Sequence, residues 1–451
     1  MAPASELKVI ARHAGSIWVG QLAVMAFGVT DTLVAGRYSD SALAALSVGA
    51  AIYISVFVAL MAVLQALLPI WAELQGAKRF TDLGRSVRQA LYLCAITAAV
   101  GLAVLLAPGP VLHWTGIPPE LRAEVEHYLA VLAIAFVPAL LFRMYGTLNQ
   151  SLGRPLLVTM LQIGALAFKI PLSIGFAFGF AGLEPMGAVG CAWATVVVNF
   201  GMLAVAAILL RTQPLYRPYR LWAPMEAPHW QSIHAFVRLG VPTGLAVMVE
   251  VTSFTLMALF IARMGIVASA AHQIASNLVA VLYMMPLSLG IAISARVSFW
   301  LGAAQPKRAI DVIFKGFMLV ALTTSALAAI LFIAKDNIAG LYSSNPEVIL
   351  LAAELLTWIA WFHLADALQA VSSFVLRSYR VTVAPLLIYV VLLWGLGLGG
   401  AYFWAYIGTT SIAARPSPVT FWICSAIALT LSALVLMWLL AVTVRRAHRA
   451  H

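Results

Sequence analysis

The sequence predicts an all-α integral membrane protein of twelve transmembrane helices arranged as two parallel-repeat six-helix lobes. Three observations carry this expectation. Of 451 residues, 63% are hydrophobic and only 10% charged, whereas a soluble domain carries roughly 25% charged residues. The apolar residues fall into twelve long continuous runs, and the second half of the chain repeats the first. A spanning helix needs about 20 apolar residues, so twelve spans use nearly all of the apolar content and no room is left for a soluble catalytic domain.

Apolar runs separated by charges and by Pro/Gly turns place spans near 14–36, 42–68, 87–109, 125–148, 155–180, 186–211, 235–262, 266–293, 310–334, 350–376, 383–408 and 418–443. The runs are continuous and rich in Leu and Ala, unlike the short alternating strands of a membrane β-barrel. No small-residue cleavage site follows the charged start (Glu6, Lys8, Arg12), so the first run reads as a retained span. Sorting the 27 Lys and Arg by connecting segment puts 21 on the side of the termini, five opposite (Arg37, Arg122, Arg263, Lys335, Arg415) and one, Lys169, inside a span. The positive-inside rule then assigns both termini to the cytoplasm. The same distribution explains the net charge of +11 without a nucleic-acid partner.

A shift of about 226 positions aligns the halves. Arg37 falls on Arg263, Leu43-Ala44-Ala45-Leu46-Ser47 on Ser269-Ala270-Ala271-His272-Gln273, Leu74-Gln75-Gly76 on Trp300-Leu301-Gly302, and Arg154 on Arg380. Pro119-Glu120 meets Pro346-Glu347 after a one-residue slip. Six spans per repeat is an even number, so both halves insert with the same orientation about an axis along the membrane normal. The expected division is residues 1–13 as N-terminal segment, 14–211 as one lobe, 212–234 as linker, 235–443 as the second lobe and 444–451 as C-terminal segment. Facing six-helix lobes are the architecture of an alternating-access carrier.

Charge inside the bilayer is costly, and four residues carry it: Asp31, Lys169, Glu250 and Asp366. Glu250 follows Pro242 in span 7. Asp366 shares a helical face with Phe362, His363, Gln369 and Ser373, a polar stripe on an apolar helix. A carboxyl removed from water binds its proton more tightly and can exchange that proton for a cation, while Phe362 offers cation–π attraction to an organic cation. Asp31 and Lys169 read as a neutralising pair, with a part in transport as the alternative.

Other chemistries find no support. Gly395, Gly397 and Gly400 spell GxGxxG but lie inside span 11, without the preceding strand or answering acid of a dinucleotide site, and read as helix-packing glycines. No GxxxxGK[ST] provides for an ATPase. Cys94, Cys191 and Cys424 sit singly in apolar runs, which implies neither a disulfide framework nor a metal site. A membrane-embedded enzyme would need a nucleophile/base or metal cluster. The expected protein is therefore no enzyme and holds no resident cofactor.

Several short motifs carry a resemblance over nearly the whole chain: Val29-Thr30-Asp31-Thr32 with Ala35-Gly36, Gly187 with Val189-Gly190-Cys191 and Ala194-Thr195, Gly240-Val241-Pro242 with Glu250-Val251-Thr252, Ala270-Ala271-His272-Gln273-Ile274-Ala275, and Asp366. The chain resembles the multidrug and toxic compound extrusion (MATE) transporters, in particular the bacterial NorM-like branch. That resemblance implies a V-shaped pair of lobes and a monomer in membrane lipid, exporting small cationic or amphipathic organic compounds in exchange for H⁺ or Na⁺. It makes Glu250 and Asp366 the cation and substrate residues of the second lobe, and Asp31 with Thr195 part of a cation site in the first. Where similar proteins carry two Asn or Asp residues four apart in span 5, this chain has Lys169 and Ser173, which disfavours Na⁺ beside Asp31. Gly15 lies near the place of a Pro common early in the family's first span. A lipid-linked oligosaccharide flippase of the same superfamily, or an exporter of one metabolite, is the alternative; such flippases tend to line the cavity with cations, whereas here three carboxylates meet one lysine.

Overall fold

The computed structural model describes residues 5–110, 112, 119–179, 182–408 and 414–449. The outermost residues of the expected terminal segments, 1–4 and 450–451, lie outside the described residues.

Among the described residues, twelve helices are long and apolar enough to cross a membrane: α1 (Glu6–Tyr38), α2 (Asp40–Gly76), α3 (Phe80–Leu106), α4 (Pro119–Ser151), α5 (Pro155–Phe178), α6 (Gly187–Thr212), α7 (Trp230–Ala262), α8 (Ile266–Gly302), α9 (Pro306–Tyr342), α10 (Pro346–Ser378), α11 (Val383–Ile407) and α12 (Pro418–Arg449). They match the twelve apolar runs one for one, but several extend further. The run 266–293 continues as helix to Gly302 and 14–36 begins at Glu6, because a helix keeps its backbone hydrogen bonds beyond the apolar zone and the charged residues there find partners. α2 is broken at Ala66–Leu67, where Pro69 has no N–H to give the Gln65 carbonyl.

The repeat is written in the helix ends. Lys78 and Ala304, 226 positions apart, both take left-handed backbone with φ 57° and 55°. Arg79 N–H closes on the Leu74 carbonyl and Gln305 N–H on the Trp300 carbonyl, each at 2.9 Å.

The chain forms two compact units. In the unit Val19–Gly244, α4 is the axial helix, packed on α2 and α6, with its own Phe136 and the neighbouring Trp71, Leu64 and Leu83 fully buried. In the unit of 5–18 with Leu245 onward, α10 plays that part against α8, α9 and α12, and most of its second half is buried, polar stripe included.

The two units meet along the chain inside α1, at Trp18/Val19, and inside α7, at Gly244/Leu245. One cause is Glu6, whose carboxylate takes Arg296 Nη2 and Nε at 2.7 and 3.0 Å and Trp300 Nε1 at 3.1 Å, tying the first turns of α1 to α8. The other is Gly240 and Gly244, where an added Cβ would stand 2.8 Å from the Val63 and Ala59 carbonyls, so α7 begins by packing backbone to backbone on α2. The 212–234 linker does not hang free: Gln89 donates to the Ala227 carbonyl and accepts the His229 N–H, and Tyr92 Oη donates to the Glu226 carbonyl. In α11 the backbone bonding widens to i→i+5 over 390–399 and 403–407. Of its three motif glycines Gly397 alone makes a tight packing contact, 3.2 Å from Ala428 Cβ on α12, while Gly395 meets nothing.

Candidate functional site

Two carboxylate sites form, one in each unit. In the unit Val19–Gly244, α1 supplies Asp31, α5 supplies Lys169 and Ser173 one turn apart, and α6 supplies Cys191 and Thr195 one turn apart. Lys169 Nζ lies 2.8 Å from Asp31 Oδ1 and donates to the Cys191 carbonyl at 2.9 Å and Thr195 Oγ1 at 2.6 Å. An ammonium has three protons, and here three oxygens receive them. Ser173 Oγ donates to the same Asp31 oxygen at 2.9 Å. Lys169 and Ser173 are wholly buried and Asp31 nearly so. The arrangement depends on Gly190: a Cβ there would stand 2.5 Å from the backbone carbon and oxygen of Phe176, so its absence lets α6 approach α5 closely enough for the Cys191 carbonyl to reach the lysine.

The second site lies in the other unit. Glu250 of α7 and Asp366 of α10 line one narrow cavity with Ser253, Phe254, Phe362 and Met257. Asp366 is buried, whereas Glu250 is half-buried and has no hydrogen-bond partner among the described residues. Asp366 Oδ1 accepts Gln369 Nε2 at 3.0 Å, and Tyr389 Oη of α11 donates to Gln369 Oε1. This relay from α11 turns the amide so that its N–H₂ faces the carboxyl. The rings of Phe254, Phe362 and Trp422 stand edge-on or tilted at 5.5–6.3 Å, a packed aromatic wall beside the two acids. Such a cavity can hold protons or a cation against two oxygen-rich groups and offer π faces to an organic ion.

Of the residues singled out from sequence, the structure thus gathers Asp31, Lys169, Ser173 and Thr195 in one cluster, and Glu250, Phe362 and Asp366 on one cavity with Gln369 behind. His363 does not line that cavity; it is buried with Nε2 unpartnered. Sequence reasoning missed three participants: the Cys191 carbonyl, Phe254 and Tyr389. Arg377 was assigned to a connecting segment, but it is buried in α10, its guanidinium 4.2 Å from the Phe374 ring. It stands eleven positions after Asp366, on the same helical face, so continuing the polar stripe past Ser373 would have found it.

Comparison with known proteins agrees with this architecture. The MatE family model matches residues 17–174 and 242–403, so one model fits both repeats, its two matches starting 225 positions apart. The chain is 35% identical over 448 residues to "Probable multidrug resistance protein NorM" of Aromatoleum aromaticum, covering 99% of this chain and 96% of that one. It is 33% identical over 449 residues to "Multidrug resistance protein PmpM" of Pseudomonas aeruginosa, covering 99% and 94%. Among solved structures, the eukaryotic MATE transporter AtDTX14 superposes with a TM-score of 0.86 at 20% identity over 99% of this chain and 98% of that one. The Vibrio cholerae MATE transporter VcmN in its bent form gives 0.84 at 17% over 98% of each. These two likenesses concern the fold. With the family model covering well over half of the chain and relatives above 30% identity spanning nearly all of it, the chain belongs to the MatE family, as a NorM-like MATE transporter.

Proposed function

We propose that this transporter is a secondary antiporter of the bacterial inner membrane, with both termini cytoplasmic, which exports cationic or amphipathic organic compounds in exchange for protons bound at Glu250 and Asp366. The names of the relatives, multidrug resistance proteins, support the substrate class. The observation that carries the coupling assignment is the contrast between the two carboxylate sites. Asp31 already has a cation, the Lys169 ammonium, at 2.8 Å, and a second monovalent cation there would have to displace a fully hydrogen-bonded charge. Glu250 and Asp366 have no such fixed partner within hydrogen-bond distance and face a cavity.

Two carboxyls facing one cavity, with no fixed cation between them, can each carry a proton. An arriving organic cation, attracted by the same oxygens and by the aromatic wall, replaces those protons, and the competition couples the two fluxes. No resident cofactor enters this scheme, and a single chain contains both lobes, so a monomer suffices. Proteoliposomes with independently imposed H⁺ and Na⁺ gradients test the reading: ethidium transport follows the H⁺ gradient and is indifferent to Na⁺. Transport driven by Na⁺ at constant pH contradicts it.

A further inference from the structure

Away from both carboxylate sites, the strongest unassigned feature is the basic stretch that follows α6. Arg211 closes the last turn of α6, a 3₁₀ segment runs from Pro214 to Tyr219, and Arg220 takes left-handed backbone at φ 49°. Tyr216 and Tyr219, three apart, turn inward. Tyr216 Oη donates to Asn149 Oδ1 at 2.6 Å and Tyr219 Oη to Gln75 Oε1 at 2.9 Å, while the Tyr219 ring meets Phe80 edge-on at 5.6 Å. Gly84 leaves room for the Tyr219 carbonyl, from which a Cβ would stand only 1.7 Å away. Arg88 Nη1 donates to the Arg220 carbonyl at 2.7 Å.

With that inner face held so firmly, Arg217 and Arg220 are presented outward. With Arg211 they border an open hollow of about 370 Å³ that Leu221 and Trp222 help to line. No carboxylate lines it, and none of the three arginines forms an ion pair among the described residues. Glu226, six residues after Arg220, is engaged by Arg88 at 2.7 Å and Arg85 at 3.5 Å. Three arginines on one hollow, with no carboxylate in its lining, suit a phosphate oxyanion, which arginine binds in bidentate fashion. The apolar neighbours identify its carrier. Trp222, Met225 and Trp230 are 59%, 48% and 73% exposed, and indole rings at the end of a spanning helix belong at head-group level.

We propose that this hollow binds the phosphate of an anionic phospholipid head group, in the leaflet on the side of the chain termini, where basic clusters beside spans attract such lipids. The test uses the full-length protein in zwitterionic phosphatidylcholine nanodiscs titrated with phosphatidylglycerol, with bound lipid read by native mass spectrometry. The wild type binds phosphatidylglycerol in preference to phosphatidylcholine, and inorganic phosphate at millimolar concentration does not displace it. The triple variant R211Q/R217Q/R220Q needs at least about tenfold more phosphatidylglycerol for half-occupancy, whereas lysine at the same three positions retains binding to within about threefold. The charge-matched control R445Q/R446Q/R449Q stays within about twofold of wild type. No lipid preference in the wild type overturns the proposal, independently of how any variant folds. Equal loss in both glutamine triples overturns it in favour of diffuse attraction, and full displacement by inorganic phosphate overturns it in favour of a soluble anion.

Discussion

Lys169 Nζ lies 2.8 Å from Asp31 Oδ1 and gives its other two protons to the Cys191 carbonyl and the Thr195 hydroxyl. An internal ammonium so placed is a tethered cation, held by a carboxylate, a backbone carbonyl and a hydroxyl in a dry interior. Its removal and its stranding therefore have different costs. Asp31→Asn leaves the ammonium without a counter-charge and destabilises the protein by about 3–5 kcal/mol. The double variant Asp31→Asn/Lys169→Met, which removes both charges, recovers most of the loss. Thermal unfolding of the purified protein, followed by tryptophan fluorescence, compares the two; a double variant less stable than Asp31→Asn alone contradicts the account.

Backbone proximity at Gly190 is what brings the Cys191 carbonyl to Lys169. Gly190→Ala forces α5 and α6 apart and lowers both expression and melting temperature, as overpacking by about 1–3 kcal/mol does. Gly201→Ala on the same helix, where a Cβ meets nothing within 4 Å, is neutral or slightly stabilising because alanine is the better helix former. Parallel melting curves separate a packing effect from any general dislike of substitution in α6.

The aromatic wall makes a charge-specific prediction. Phe362 stands 6.0 Å from Phe254 and 5.5 Å from Trp422, ring centre to ring centre, beside Asp366. Phe362→Leu weakens binding of ethidium by about twofold to thirtyfold, the value of a cation–π contact, and weakens a neutral aromatic of similar size much less. Fluorescence anisotropy titrations with both ligands measure the difference, and an equal loss for the two shows that the ring serves packing alone.

Outside the membrane, Glu226 sets a pH dependence. The hydrogen bond from Arg88, at 2.7 Å, together with the nearby charges of Arg88 and Arg85, holds its carboxyl below the ordinary value of 4.5. A lowered folded-state pKa stabilises the protein above the ordinary value, and that contribution is lost as pH falls through the lowered one. Glu226→Gln therefore costs about 1 kcal/mol at pH 7 for this partly exposed pair, and the deficit closes as the pH drops below 4.5. Melting temperatures of wild type and variant across pH 3.5–7.5, a range chosen about that value, show whether the curves converge on the acid side.

What was legible in the sequence follows from how loudly each interaction is encoded. Spanning helices announce themselves because a run of about 20 residues must be predominantly apolar, and the repeat survives low identity because Gly76 and Gly302 end equivalent helices. Asp31, Lys169, Glu250 and Asp366 stand out because charge in a span is rare. Arg377 is hidden by its position near Arg380, where a basic residue is expected in a connecting segment, although α10 buries it. The Cys191 carbonyl has no letter in the sequence at all, and the glycine before it is its only sign. Glu6 meets Arg296 across 290 positions, so neither the true start of α1 nor the division of the chain inside α1 and α7 could be read from local pattern.

The central claim is that Glu250 and Asp366 exchange protons for substrate while the Asp31–Lys169 pair does not. Proton release on substrate binding tests it most directly. Detergent-solubilised protein in lightly buffered solution with a pH-indicator dye is mixed with a saturating organic cation such as ethidium. The account predicts proton release by the wild type, its loss in Glu250→Gln/Asp366→Asn, and its retention in Asp31→Asn/Lys169→Met. Undiminished release from the Glu250→Gln/Asp366→Asn protein, or release abolished by the Asp31→Asn/Lys169→Met change alone, would contradict it.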